Sequence, residues 1–315
     1  CGEGTSCLSE EEIGTVYKME GLSTRFYNIP SFHSSFRKFR KQNFSVVHLL
    51  SEKERNRTLK AAAVIKKPAL FTVYSPVTED SSHLLKRPVK LILTFSEATR
   101  ISLVNQGAIP KERIRVLLPV IDSSLFTPSS SRNEVPVIGF AADFEPYSGA
   151  DILIKAVSRL ISKGLSAHLL LVGSGKDEKR LRALVREKNI TKSVTFLLPN
   201  LSYQKILPAL DIYVLCAAKE GEHTSTLFAA MAASKPVVTN AVNAVPELVE
   251  ENSTALLTTT NSPDELAEVL ERLLKDSNLR NRIALQASER VREKFPFNRC
   301  VEALLSVYRE VTGER

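Results

Sequence analysis

Short runs of aliphatic and β-branched residues recur along this chain, at 45–49, 69–73, 89–95, 113–118, 135–140, 168–172, 193–197, 212–216, 236–239 and 254–257. An antiparallel strand with one wet face alternates polar and apolar residues. Near-continuous runs of this length belong instead to parallel strands covered on both sides. Between them lie stretches with helical patterning, at 52–65, 98–105, 151–161 and 176–187. Strands alternating with helices predict an α/β protein built from doubly wound sheets.

The rhythm breaks once, at 121–134, where serine, proline and charge replace the apolar pattern. Such a stretch reads as a domain boundary, and the strand–helix pattern restarts after it. A chain of 315 residues is long enough for two ordinary domains. Near the end, Ser262, Pro263 and Glu265 form a helix-start signature: an N-cap, a proline at the first helical position and a capping-box acid. Leu266, Leu270 and Leu273 then predict one buried helical face. Gly173 and Gly175 are read as a tight strand-to-helix turn rather than a phosphate loop.

The formal charge of +8 favours anionic partners. There is no Trp, and basic and aromatic residues are interleaved in only one segment, so nucleic acid is not an expected partner. Four scattered cysteines suit reduced thiols and a cytoplasmic setting rather than a disulfide framework. The Cys1–Cys7 spacing is wrong for a usual zinc pair, so no metal is expected. No apolar run approaches the ~18 residues that a membrane-spanning helix needs. The first residues lack both the basic start and the apolar middle of a signal peptide.

The passage 219–249 carries the most chemistry. A strand leaves the core at Cys216 and a polar loop holds Glu220 and Gly221. A helix of small apolar residues then opens at His223, Thr224 and Ser225. Unpaired backbone N–H groups and the positive end of the helix dipole meet there, which makes a site for an anion. Lys235-Pro-Val-Val238 and Val245-Pro-Glu247 follow. The passage resembles the donor-sugar segment of family 4 glycosyltransferases: Glu-Gly, a short loop, Leu-Leu-Glu-Ala-Met-Ala, then Lys-Pro-Val-Val. Further matches lie, in order, at 44–48, 94–97, 113–122, 171–175 and 194–197, and the tail 295–308 resembles the family's closing helix.

That resemblance implies a GT-B architecture, two Rossmann-like doubly wound domains facing across a cleft. It places an acceptor-side domain at 1–123, a donor-side domain at 124–296 and a final helix at 297–315 that crosses back. The first domain is short, since nothing before Phe44 matches the family's N-terminal strand and glycine-rich turn. The resemblance also implies a retaining enzyme that needs no metal or other cofactor. It would take a nucleotide-sugar as co-substrate and a glycan or lipid-linked sugar as acceptor. On this reading Glu220 is the catalytic residue. Gly221, His223, Thr224, Ser225, Glu247 and Lys176 bind the donor. Structural readings stand beside these: a capping role for His223, a solvated helix-start lysine for Lys176 and a first-turn carboxylate for Glu247.

Several family positions are altered. Asp143 and Ser148 occupy the places of an arginine and a lysine that hold the diphosphate, and Tyr74 that of a histidine near the reacting sugar. Ala229 replaces the ribose-binding glutamate. Counting back from Met231 lands the first glutamate on Gly221, so Glu220 fits only if the loop has shifted by a residue. These changes define the alternative reading, a catalytically degenerate homologue that binds nucleotide or scaffolds a partner.

In the segment 32–41, Phe32, Phe36 and Phe39 recur at helical spacing among Arg37, Lys38, Arg40 and Lys41. The pattern fits either a helix packed on the first domain or a peripheral contact with anionic lipid. In the lipid case the protein sediments with anionic vesicles at low salt and is released at high salt. Changing the four basic residues to Gln then abolishes sedimentation, and indifference to vesicles leaves the packing interpretation.

Overall fold

The computed structural model describes residues 44–50, 59, 62, 66–78, 80–85, 88–118, 120–126, 133–216, 224–242, 244–259 and 262–313. The segment 32–41 lies outside them, as does most of the expected helix 52–65. The chain divides into two compact units, Cys1–Leu117 with Val301–Arg315, and Leu118–Cys300.

In the first unit β1 (Val47–Leu49), β2 (Ala69–Val73), β3 (Val89–Thr94) and β4 (Ile114–Val116) form a four-stranded sheet in the order β1-β2-β3-β4, every pair parallel. The expected strand 113–118 is shorter because a 3-10 turn, Lys111–Arg113, occupies its start. Helix α1 (Glu97–Asn105) begins where the Ser96 hydroxyl accepts the Thr99 N–H. One face of the sheet packs Phe71, Ile92 and Leu103, and the other packs Leu70, Leu91 and Leu93.

In the second unit β5 (Val137–Ala141), α2 (Ala150–Ser162), β6 (His168–Val172), α3 (Glu178–Glu187) and β7 (Val194–Leu197) run in sequence. They are followed by α4 (Tyr203–Ile206), β8 (Ile212–Leu215), α5 (Thr224–Ala232), β9 (Val237–Asn240), α6 (Val245–Leu248) and β10 (Leu256–Thr258). Then come α7 (Pro263–Lys275) and α8 (Ser277–Lys294). The six parallel strands lie in the order β10-β9-β8-β5-β6-β7. The chain winds outward from β5 to one edge, then restarts at β8 and winds to the other.

Strand periodicity sends alternate residues to opposite faces. Ile138, Leu169, Leu171, Ile212 and Val214 join Leu153, Val157, Leu181 and Leu270 on one side. Ala141, Val172, Tyr213 and Leu215 join Leu227, Phe228, Val291 and Phe295 on the other. Burial on both faces explains why these strands read as continuous apolar runs. The α7 signature is partly redirected. Ser262 caps the Glu265 N–H at 3.2 Å, and Leu266, Leu270 and Leu273 are buried as expected. The Glu265 carboxylate, however, accepts the N–H of Thr259 at 2.9 Å. It thereby ties the helix start to the residue following β10 rather than closing the box.

Helix α9 (Phe297–Thr312) ends the described chain, and its residues from Val301 belong to the first unit. Val307 and Val311 pack with Leu70, Leu91 and Leu93. Tyr308 adds a polar link: the two ring nitrogens of His48 lie 2.8 Å from the Tyr308 hydroxyl and 2.7 Å from Thr72 Oγ1. Burial holds the His48 pKa down from 6.5 to about 4. The unfolded chain therefore takes up this proton near pH 6.5, whereas the folded unit resists it to about pH 4. The histidine's contribution to stability is complete above about pH 6.5 and is lost as pH falls toward 4. His48→Gln is expected to flatten the dependence of Tm on pH across that window, and an unchanged slope would refute the assignment.

Candidate functional site

In open α/β sheets ligands lie beyond the carboxyl ends of the strands, at the point where the strand order reverses. In the second unit that point is between β5 and β8. The connections after β5 and β6 meet there beside the end of β8, and the backbone itself packs them. Gly149, the N-cap of α2, has φ +84, and a Cβ on it would stand 1.4 Å from the carbonyl oxygen of Cys216 at the end of β8. A Cβ on Gly175 would lie 2.3 Å from the Phe144 carbonyl oxygen, and one on Gly173 2.1 Å from that of Ala142. The loops after β5 and β6 are also hydrogen-bonded to each other. Phe144 N–H donates to Ser174 O at 2.9 Å, and Asp177 N–H to Phe144 O at 2.9 Å. The glycines of the 173–175 turn thus serve loop packing.

Phe144 is buried beneath this junction and Asp143 is exposed beside it. Ser148 is buried, with Oγ 3.5 Å from the Ala150 N–H. Helix α5 opens at Thr224, and the exposed Ser225 follows in its first turn. Tyr213, on β8 and wholly buried, reaches Thr226 Oγ1 at 2.6 Å and the Ala141 carbonyl oxygen at 3.4 Å. Burial pushes its phenol pKa up, as it pushes the Cys216 thiol up to about 12. Both stay protonated at neutral pH. Tyr203, in α4, has its pKa raised by burial first and by the charge of Asp143 second.

Residues 124–290, which span this sheet and its helices, match the family described as glycosyl transferases group 1. The chain belongs to that family. D-inositol 3-phosphate glycosyltransferase of Stackebrandtia nassauensis is 28% identical over 226 residues, which cover 65% of this chain and 50% of that protein. The MMP alpha-(1->4)-mannosyltransferase of Mycolicibacterium hassiacum is 26% identical over 270 residues, covering 84% of this chain and 64% of the relative. The chain therefore spans about half to two thirds of the length of these curated relatives. Among solved structures, Anabaena HepE in complex with UDP and glucose superposes with a TM-score of 0.77 at 18% identity, over 88% of this chain and 80% of HepE. Sucrose-phosphate synthase from Thermosynechococcus elongatus gives 0.77 at 18% identity, over 91% and 78%. The two parallel sheets are those of the GT-B fold.

In this member of the group 1 family the expected site residues distribute unevenly. Glu220, Gly221 and His223 lie outside the described residues. Thr224 and Ser225 follow β8, Glu247 sits in α6 after the neighbouring β9, and Lys176 follows β6. All four are thus on the carboxyl edge of one sheet. Lys176 is 87% exposed and 3.7 Å from Glu145, an ion pair that solvent screens strongly. Ala229 is fully buried in the cluster beneath α5. Tyr74, on the first unit, stacks at 5.4 Å on Phe95. Tyr213 and Thr226 escaped sequence reasoning because Tyr213 sits in an otherwise apolar run and nothing in the sequence shows that the two hydroxyls meet. Among the described residues no group of three or more His, Cys, Asp or Glu side chains is arranged to hold a metal ion, and no helix is long and apolar enough to cross a membrane.

The packing of the β5 loop on β8 makes Gly149 the residue least able to change. Gly149→Ala is expected to cost about 3 kcal/mol or more, measured by urea unfolding, because backbone must move as well as φ. Gly164→Ala, at φ +81 with nothing within 4 Å of the added carbon, is the control at about 1 kcal/mol. Equal losses at the two positions would show that sterics at Cys216 do not matter.

Proposed function

We propose that the protein transfers a sugar from a nucleotide-sugar to an acceptor hydroxyl on a glycan or lipid-linked sugar, with retention of anomeric configuration and without a resident metal. The observation that carries the reading is the reversal point between β5 and β8, with α5 opening beside it, in a member of the group 1 family. The curated relatives are named as glycosyltransferases, and HepE was solved with UDP, which makes a uridine diphosphate sugar the first donor to try. In the proposed reaction the bond from the anomeric carbon to the diphosphate breaks and a bond to the acceptor oxygen forms. Charge grows on the departing diphosphate, and preorganised donors aimed at that charge lower the barrier. Backbone N–H groups at the start of α5 are proposed to supply such donors whatever the side chains are. Glu220 is proposed to act at the reacting sugar, with Gly221, His223, Thr224, Ser225, Glu247 and Lys176 around the donor. A cytoplasmic setting with peripheral membrane contact through 32–41 fits a lipid-linked acceptor.

Asp143 opposes a diphosphate where the resemblance places a cation. One hydrogen bond to a charged group is worth about 1.5–3 kcal/mol, or about one to two decades of affinity. Calorimetry with uridine, guanosine and adenosine diphosphate sugars tests the reading. One of them is expected to bind with Kd on the order of millimolar, and Asp143→Arg to tighten it by about tenfold. Micromolar binding by the unaltered chain would mean that other groups replace the missing cations. Absence of binding to all three in both proteins overturns the proposal.

A further inference from the structure

Helix α6 is a single turn, Val245–Leu248, following β9 at the carboxyl edge of the sheet, one strand away from β8. A helix this short has too few internal hydrogen bonds to hold itself. Its last carbonyl groups have no partner within the helix. They lie in a dry setting, since Leu248 is fully buried and Val249 nearly so. A buried carbonyl without a partner is costly.

Arg290, in α8, supplies that partner. Its Nε donates to the Leu248 carbonyl oxygen at 2.7 Å, its Nη2 lies 3.5 Å from that of Glu247, and its Nη1 pairs with the Glu250 carboxylate. One guanidinium thus grips Glu247, Leu248 and Glu250 together. The Glu250 carboxylate is well exposed and screened, so the hold comes mainly from the Leu248 arm. Only 16% of the Arg290 side chain is exposed. A planar fork of donors makes this multiple contact possible, where a lysine holds its acceptors as a point charge.

The helix that carries Arg290 is itself anchored. Ala287 and Val291 of α8, and Phe295 just beyond it, join the apolar cluster that also takes Val245, Leu248 and Phe228. The rings of Phe295 and Phe228 meet edge to face at 4.9 Å. Apolar contacts of this kind press α6 onto the unit but give little control over its rotation. The directional bonds from Arg290 supply that control.

We propose that Arg290 is a positioning residue: by holding the carbonyl groups of Glu247 and Leu248 it sets the rotation of α6, and with it the place of the Glu247 side chain at the carboxyl edge. The assignment rests on the donor-site reading of Glu247 above. It gives Arg290 a part in nucleotide binding, exerted through Glu247.

Arg290→Met keeps the aliphatic stem and removes the fork, and Arg290→Lys keeps the charge as well. Amide hydrogen exchange in the unliganded protein reads the clamp directly. Exchange in 245–250 is expected to quicken by about tenfold in Arg290→Met, while exchange in α3 stays at the wild-type rate. Wild-type exchange in 245–250, or a uniform rise across the second unit that tracks lost stability, overturns the clamp. Uridine diphosphate is the probe in calorimetry, and both variants are expected to bind it about five- to tenfold more weakly. Full affinity in Arg290→Lys overturns the role of the fork. The loss is expected to shrink to less than about twofold when Arg290→Lys is made in a Glu247→Ala background, as groups acting through one another require. An undiminished loss in that background overturns positioning through Glu247. If the wild type binds no uridine diphosphate, or Glu247→Ala loses no affinity, the donor-site reading of Glu247 falls, and exchange still decides the clamp.

Discussion

Much of the second unit follows from backbone meeting backbone at the carboxyl edge of its sheet. The approach of Gly149 to the Cys216 carbonyl leaves no room for a side chain, and the Gly175 approach to Phe144 is nearly as close. With those side chains absent, the connections after β5 and β6 lie against each other and against Cys216 at the end of β8. Their hydrogen bonds, Phe144 to Ser174 and Asp177 to Phe144, then satisfy the backbone polar groups of the buried Phe144. The positions of Asp143, Ser148 and the start of α5 are consequences of that junction.

Among the described residues at the same edge, the carboxylates and cations largely pair with one another. Asp143 is exposed, and Glu145 pairs with the solvent-screened Lys176. Nearby, Asp177 and Asp151 hold Arg180, which keeps that cation occupied in structure. The proposed anionic ligand at this edge would be met by fixed dipoles as well as by mobile charges. Dipoles fixed by the fold need no reorganisation when charge develops, provided that the helix carrying them is held in place.

The first unit solves a different problem. Its sheet is covered on one face by elements close in sequence and on the other by residues of the final helix. The His48–Tyr308 contact joins positions far apart in the chain, inside a mainly apolar interface. Apolar packing supplies most of the adhesion there, while the paired polar groups favour one register over others.

Strand positions were legible from the residues because burial on both faces leaves a local trace, an unbroken apolar run, that needs no knowledge of neighbours. Each of the ten runs contains or overlaps a strand. The helix-start signature at Ser262 and the opening of a helix at Thr224 were legible for the same reason, since helix starts are signalled within one turn. The order β10-β9-β8-β5-β6-β7 was not, nor was the side on which each loop lands, because pairing joins segments distant in sequence. Glu265 illustrates the limit: its local partner was a backbone group three residues away, and tertiary contact gave it Thr259 instead. Tyr213 illustrates it further. In the sequence it is one apolar residue in a strand. Only the fold brings its hydroxyl to Thr226 and Ala141, because a hydrogen bond depends on the distance between atoms and not on the pattern of residues.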